Sequence, residues 1–175
     1  MYSLKSKLLN TYGWLAQREK EFDKSIGYLI KAKRVFEGDD QKLAASINVN
    51  LGITYYFKSE FDSARKYYQN GLTISTQFRD SVGMLNGYRN IGIVLRRKGN
   101  TLEAIKLYYD ALRIAEDLKL PSSIADVHNS IGVAFDHLKE YGKALDHHEQ
   151  TLAIRRQLGD RKTLSNVLSN IGPVS

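Results

Sequence analysis

The chain has 175 residues, two prolines, no cysteine and a formal charge of +7, from 26 Lys+Arg against 19 Asp+Glu. Without cysteine, disulfides, thiolate catalysis and cysteine-based zinc sites are excluded. An apolar fraction of 42% suits a folded chain; no apolar run approaches the ~18 residues of a membrane span, and Met1 to Lys7 lacks a signal peptide's apolar stretch, so a cytoplasmic location is expected.

From the amino terminus, apolar residues at helical spacing predict elements over 5–18, 22–37, 42–57, 61–78, 81–97, 101–118, 122–138, 142–157 and 161–171. The first of these contains Thr11-Tyr12-Gly13, the third Asn50-Leu51-Gly52, the fifth Asn90-Ile91-Gly92 and the seventh Ser130-Ile131-Gly132. A fifth copy, Asn170-Ile171-Gly172, falls in the last element. The glycines are 39, 40, 40 and 40 residues apart, a regularity that composition alone does not produce.

Other positions keep the same step. Twelve residues after each glycine comes a small residue: Ser25, Ala64, Ala104 and Ala144. Four further on stand Leu29, Tyr68, Tyr108 and His148. Bulk at fixed offsets from small residues is what two closely packed helices require. Short polar or glycine-bearing turns, Lys58-Ser59-Glu60 and Lys98-Gly99-Asn100, separate the two helices of a unit. The expected organisation is a single array over 1–175, with helical hairpins at 5–40, 42–80, 81–120 and 122–160 and a closing helix at 161–171.

This pattern resembles the tetratricopeptide repeat. The small–x3–aromatic signature stands as Ala64-x3-Tyr68 and Ala104-x3-Tyr108, and Leu51-Gly52-x2-Tyr55 precedes the first of them. The resemblance covers essentially the whole chain, with three departures. The period is 40 where 34 is commoner, the proline usual at each unit's end is missing apart from Pro121 near one junction, and repeat one has Ser25 and Leu29 in place of alanine and an aromatic. The 40-residue variant is similar to repeats of cell-polarity adaptors, kinesin light chains and bacterial regulators and sensors. The resemblance implies an all-α, right-handed superhelical solenoid of antiparallel hairpins, four repeats plus a terminal helix. It also implies a protein or peptide held in the concave groove, in signalling or complex assembly.

Projected at about 100° per residue, the first helix of each hairpin has a second arc beside its packing face. The resemblance assigns that arc to the groove. Two residues before the glycine it carries Thr11, Asn50, Asn90, Ser130 and Asn170; six before, Ser46, Asn86, Asp126 and Asn166. Carboxamides both donate and accept, so such a ladder can pair with an extended peptide backbone, or else bond within the stack. Arg89, Arg96 and Arg97 share the arc with Asn86 and Asn90 and favour an acidic or phosphorylated ligand. Tyr56, Phe57 and Trp14 are candidate apolar anchors.

No nucleotide-binding, hydrolase or dinucleotide fingerprint occurs, so no enzyme, cofactor or small-molecule substrate is expected. His148-Glu149 begins a metalloprotease string, but Leu152 stands where its second histidine belongs, and no metal is expected. Two other readings stay open. One is RNA binding, which the basic excess would assist although the cations are spread around the helices. The other is the sensory portion of a larger signalling protein. Self-association through the terminal helix is a further expectation.

Overall fold

The computed structural model describes residues 2–36 and 40–159. These form α1 (Tyr2–Arg18), α2 (Phe22–Arg34), α3 (Gln41–Phe57), α4 (Phe61–Gln77), α5 (Ser81–Arg97), α6 (Thr101–Asp117), α7 (Pro121–His137) and α8 (Tyr141–Gln157). There is no strand among the described residues. No helix among them is long and apolar enough to cross a membrane.

From α3 to α8 every helix has 17 residues, and each begins 20 residues after the one before. Seventeen helical and three turn residues, taken twice, give the 40-residue period of the glycines. The one interval of 39 arises because α3 starts 19 residues after α2, which is only 13 residues long. The spacing predicts α2 to residue 37, but it ends at Arg34, where the Val35 N–H closes on the Lys31 carbonyl. The closing helix expected at 161–171 lies outside the described residues.

The turns share one device. After α3, the Ser59 N–H donates to the Tyr56 carbonyl and the Glu60 N–H to the Tyr55 carbonyl, each at 2.9 Å. The same pair of bonds closes α1, α4, α5, α6 and α7, satisfying carbonyls that a helix end otherwise leaves open. This geometry needs a left-handed residue after the helix. Gly99 and Gly159 supply it without strain, but Lys20, Ser59, Arg79, Lys119 and Lys139 adopt φ of 52–62° with a full side chain. Pro121 opens α7 at its first turn, where its missing N–H costs nothing.

The chain divides into two compact units, Met1–Val94 and Leu95–Ser175. In the first, α1 packs on α2, α2 on α3 and α3 on α4. Its core includes Leu29, Ala32, Leu43, Ile47 and Leu51, with Tyr55 and Tyr67 stacked 5.4 Å apart against them. In the second, α6 packs on α7 and α7 on α8, burying Tyr108, Ala115, Val127 and Ile131 completely.

The glycines mark the closest approach within a hairpin. Each of Gly13, Gly52, Gly92 and Gly132 is the twelfth residue of its helix. A Cβ on Gly52 would lie 2.5 Å from the Tyr68 ring, one on Gly13 2.5 Å from Leu29 Cγ, and one on Gly132 2.7 Å from the His148 ring. The large residue of the second helix therefore sits in the gap that the missing side chain leaves. Ser25, Ala64, Ala104 and Ala144, one turn earlier on the second helices, are buried for the same reason.

Replacing a strained turn residue should stabilise the second unit. Lys139→Gly is expected to raise its stability to denaturant by about 0.5–1 kcal/mol, strain relief exceeding the added chain entropy. Gln150→Gly, exposed within α8, should lower it by about 1 kcal/mol. Urea titrations followed by circular dichroism measure both.

Candidate functional site

The polar arc of the first helices is built differently in each unit. In the first unit it forms a chain of hydrogen bonds from α1 to α3. Asn50 Nδ2 donates to Asn10 Oδ1 at 3.0 Å, and Asn10 Nδ2 donates to Ser46 Oγ at 3.3 Å. All three residues are half-buried. The helix pair thus presents an amide ladder that already uses part of its own capacity: each carboxamide has two donor hydrogens and an acceptor oxygen. Asn10, three residues before its glycine, belongs to this ladder although the sequence pattern singled out only its neighbours. Thr11 instead turns its hydroxyl back onto the Lys7 carbonyl at 3.0 Å.

Asn86, Arg89 and Asn90 lie half-buried at the same register positions of α5. Arg89 stands close enough to Tyr68 to oppose the effect of burial, which pushes that phenol's pKa upward. Tyr56 is half-buried and packs its ring against Phe57 at 5.9 Å and Phe61 at 5.8 Å. Phe57 is 58% exposed and stacks on Phe22 at 5.9 Å. Trp14 is exposed and lies beneath the Arg18 guanidinium, 4.9 Å from the ring centroid.

In the second unit, Arg96 Nη1 lies 3.1 Å from His137 Nε2, which must accept because a guanidinium only donates. Arg97 is exposed. Ser130 is half-buried, and its hydroxyl donates to the Asp126 carbonyl one turn back at 2.9 Å. Asp126 itself is held by Arg155 of α8, whose Nη1 also donates to Ser122 Oγ at 3.1 Å. Asn170 lies outside the described residues.

The four histidines fall on α7 and α8. His148 occupies the bulky position over Gly132, is 1% exposed, and reaches Asp136 Oδ2 through Nε2 at 3.0 Å. His128 and His147 meet across the hairpin with their Nδ1 atoms 2.9 Å apart. Tyr109 of α6 lies 3.3 Å from His147 Nε2, and Phe135 stacks on the His147 ring at 5.7 Å. Two imidazoles this close require one Nδ1–H donor and one bare nitrogen, hence at least one neutral ring. Burial, then the neighbouring His128, pushes His147 down to about 4, and burial lowers His128. Among the described residues no three histidine or carboxylate groups are arranged to hold a metal ion. Chemically, the described residues offer amides, guanidinium groups and aromatic rings on packed helices, which suits recognition.

Sequence profiles of the tetratricopeptide repeat match residues 45–78 and 83–172, the second match alone covering half of the chain. The chain belongs to the tetratricopeptide repeat family.

Among relatives of this tetratricopeptide chain, Tetratricopeptide repeat protein 29 of Macaca fascicularis is 29% identical over 147 residues, or 82% of this chain and 31% of that protein. The chain therefore spans about a third of that relative's length. Aspartyl phosphate phosphatase F from Bacillus subtilis has a matching structure, with a TM-score of 0.91 and 16% identity over 99% of this chain and 47% of the other. A Rap protein complexed with Competence and Sporulation Factor matches with a TM-score of 0.83 and 17% identity, over 96% of this chain and 47% of the other. At such identities the likeness is one of fold: an all-α tetratricopeptide solenoid.

The histidine pair gives this repeat protein a pH signature. A depressed folded-state pKa means that the unfolded chain binds more protons below its ordinary value of about 6.5. Stability from this source is complete above that pH and is lost as the pH falls from about 6.5 toward about 4. His147→Phe, which removes the titrating ring, should flatten the fall of melting temperature between those limits relative to the parent, as thermal melts at stepped pH will measure.

Proposed function

We propose that this tetratricopeptide chain is a protein-binding scaffold that holds an extended, acidic segment against the polar arc of its first helices, in a signalling or assembly complex. The observation that carries the reading is the pair of hydrogen bonds joining Asn50, Asn10 and Ser46 across two successive first helices, with half-buried donors and acceptors on one polar arc. An extended peptide repeats its N–H and C=O groups along its length, so it suits a row of side chains that both donate and accept. Asn86 and Asn90 hold on α5 the positions of Ser46 and Asn50, with Arg89 between them; in the second unit Ser130 holds the position of Asn50, and Arg96 and Arg97 end α5. The guanidinium groups set the preference for carboxylates or phosphates. Tyr56 supplies an aromatic contact.

The complex of a Rap protein with Competence and Sporulation Factor supports the reading, since that protein shares the fold and holds a ligand. The reading extends to the longer protein of which such a chain would form the binding portion.

A peptide library presented to the purified chain tests this. The enriched sequences should be rich in Asp and Glu, and Asn90→Ala combined with Arg97→Ala should weaken them about tenfold, or 1.4 kcal/mol, without changing helicity. Enrichment without acidic bias, or affinity unchanged in the double variant, would contradict the reading. RNA binding would instead show affinity that falls steeply with salt in shift titrations at two ionic strengths.

A further inference from the structure

The repeat supplies its own control for what packing requires. Successive second helices open on Phe22, Phe61 and Thr101, and the first helix that follows each of them ends on Phe57, Arg97 and His137. Only the first of these pairings is aromatic on both sides. A solenoid that folds with arginine, threonine and histidine at such positions does not need two phenylalanines there. Yet the Phe22 and Phe57 rings stack 5.9 Å apart and 8° from parallel, and Phe57 is 58% exposed. Aromatic rings held at a surface in this way are enriched where proteins meet.

The stacked pair forms one wall of a hollow of about 280 Å³, whose remaining wall is Gln17, Arg18 and Lys20. Both turns that bound it, α1–α2 and α3–α4, belong to the first unit. Its polar wall is tied in place. Gln17 Nε2 donates to Thr54 Oγ1 of α3 at 3.0 Å, and the Arg18 guanidinium lies on Trp14. A cavity of about 150 Å³ accepts benzene, so this one has room for an aromatic side chain. None of the five lining residues is acidic, and two are cations. The neighbouring carboxylates are already engaged: Glu21 with Lys24 at 2.6 Å, and Asp23 and Glu60 with Lys58 at 2.7 and 3.2 Å.

We propose that the bound segment carries an aromatic residue beside a carboxylate, and that its ring seats against Phe22 and Phe57 while the carboxylate meets Arg18 and Lys20. The inference rests on the reading that the polar arc holds an acidic segment, and it adds the residue that anchors the segment. Phe57 stands seven residues after Asn50 on α3, two turns on and on the same side of the helix. A third ring extends the Phe22–Phe57 stack, a contact that an aliphatic side chain of equal size cannot make. The guanidinium of Arg18 matches a carboxylate, whereas a basic neighbour would meet two cations.

Three displayed libraries of short peptides test this, each built from Asp, Glu, Ser and Gly around one central position. The centre is Phe, Tyr or Trp in the first, Leu in the second and Ala in the third. The libraries are mixed and selected on the full chain. We expect aromatic-centred peptides to be recovered at least tenfold over the alanine set and at least threefold over the leucine set. On Phe57→Ala the preference over alanine should vanish. It should persist on Phe78→Ala, which alters a 56% exposed phenylalanine at the end of α4. Lys20→Gly removes a rim cation at a residue with φ of 62°, where glycine is unstrained, and should lower aromatic recovery at least threefold. Unchanged circular dichroism and melting temperature will show that the variants are folded. Acidic peptides recovered equally from the three libraries, an aromatic preference that survives Phe57→Ala, or recovery undiminished by Lys20→Gly would overturn this proposal alone. Recovery of no library above background would overturn it together with the reading it rests on.

Discussion

In three of the hairpins a bulky side chain rests on a glycine, and this contact sets how their two helices fit. Tyr68 lies on Gly52, Leu29 on Gly13 and His148 on Gly132, at distances that no Cβ could share. The contact does more than bury surface. It sets how near the two helices come and which residues of each face the other, because the small residue one turn earlier on the second helix must lie in the same seam. A helix turned even one residue out of register would put bulk against bulk.

Length then follows from this contact together with the turns. Seventeen-residue helices closed by the same pair of backbone bonds recur every 20 residues, so the glycine returns to the twelfth position of each first helix. Five of the turns hold a lysine, serine or arginine in a left-handed conformation where glycine would be less strained. The packing of the hairpins evidently outweighs that cost, as tertiary contacts generally outweigh local preference. The polar residues on the remaining arc inherit the fixed step, which is why Asn50, Asn10 and Ser46 from successive first helices come within hydrogen-bonding distance. Recognition, as proposed, uses a spacing that core packing had already imposed.

Much of this was legible in the amino-acid string. The glycine grid, the small residues and the bulky ones are each visible at fixed offsets, and the fifth helix is bounded in the structure where helical spacing placed it. Less legible were the ends. Nothing in Lys20, Ser59 or Lys139 announces a left-handed residue, since their conformation is dictated by the hydrogen bonds of the turn and not by side-chain preference. Pro121 marks the start of α7, a role that a search for unit-ending prolines obscures. The His128–His147 pair joins positions four before and fifteen after Gly132, a relation that exists only once the hairpin closes. Asn50 carried the opposite lesson: its register was readable, but not that part of its hydrogen-bonding capacity is spent on Asn10.

The most direct test is a double-mutant cycle on the first unit, using Gly52→Ala, Tyr68→Ala and the two together, with stability read by urea unfolding. If the ring fills the space left by the glycine, the alanine at 52 destabilises only while Tyr68 is present, and the cycle should return a coupling of about 1–3 kcal/mol. Energies that simply add would contradict the account, for the helix spacing would then be set by something other than this contact.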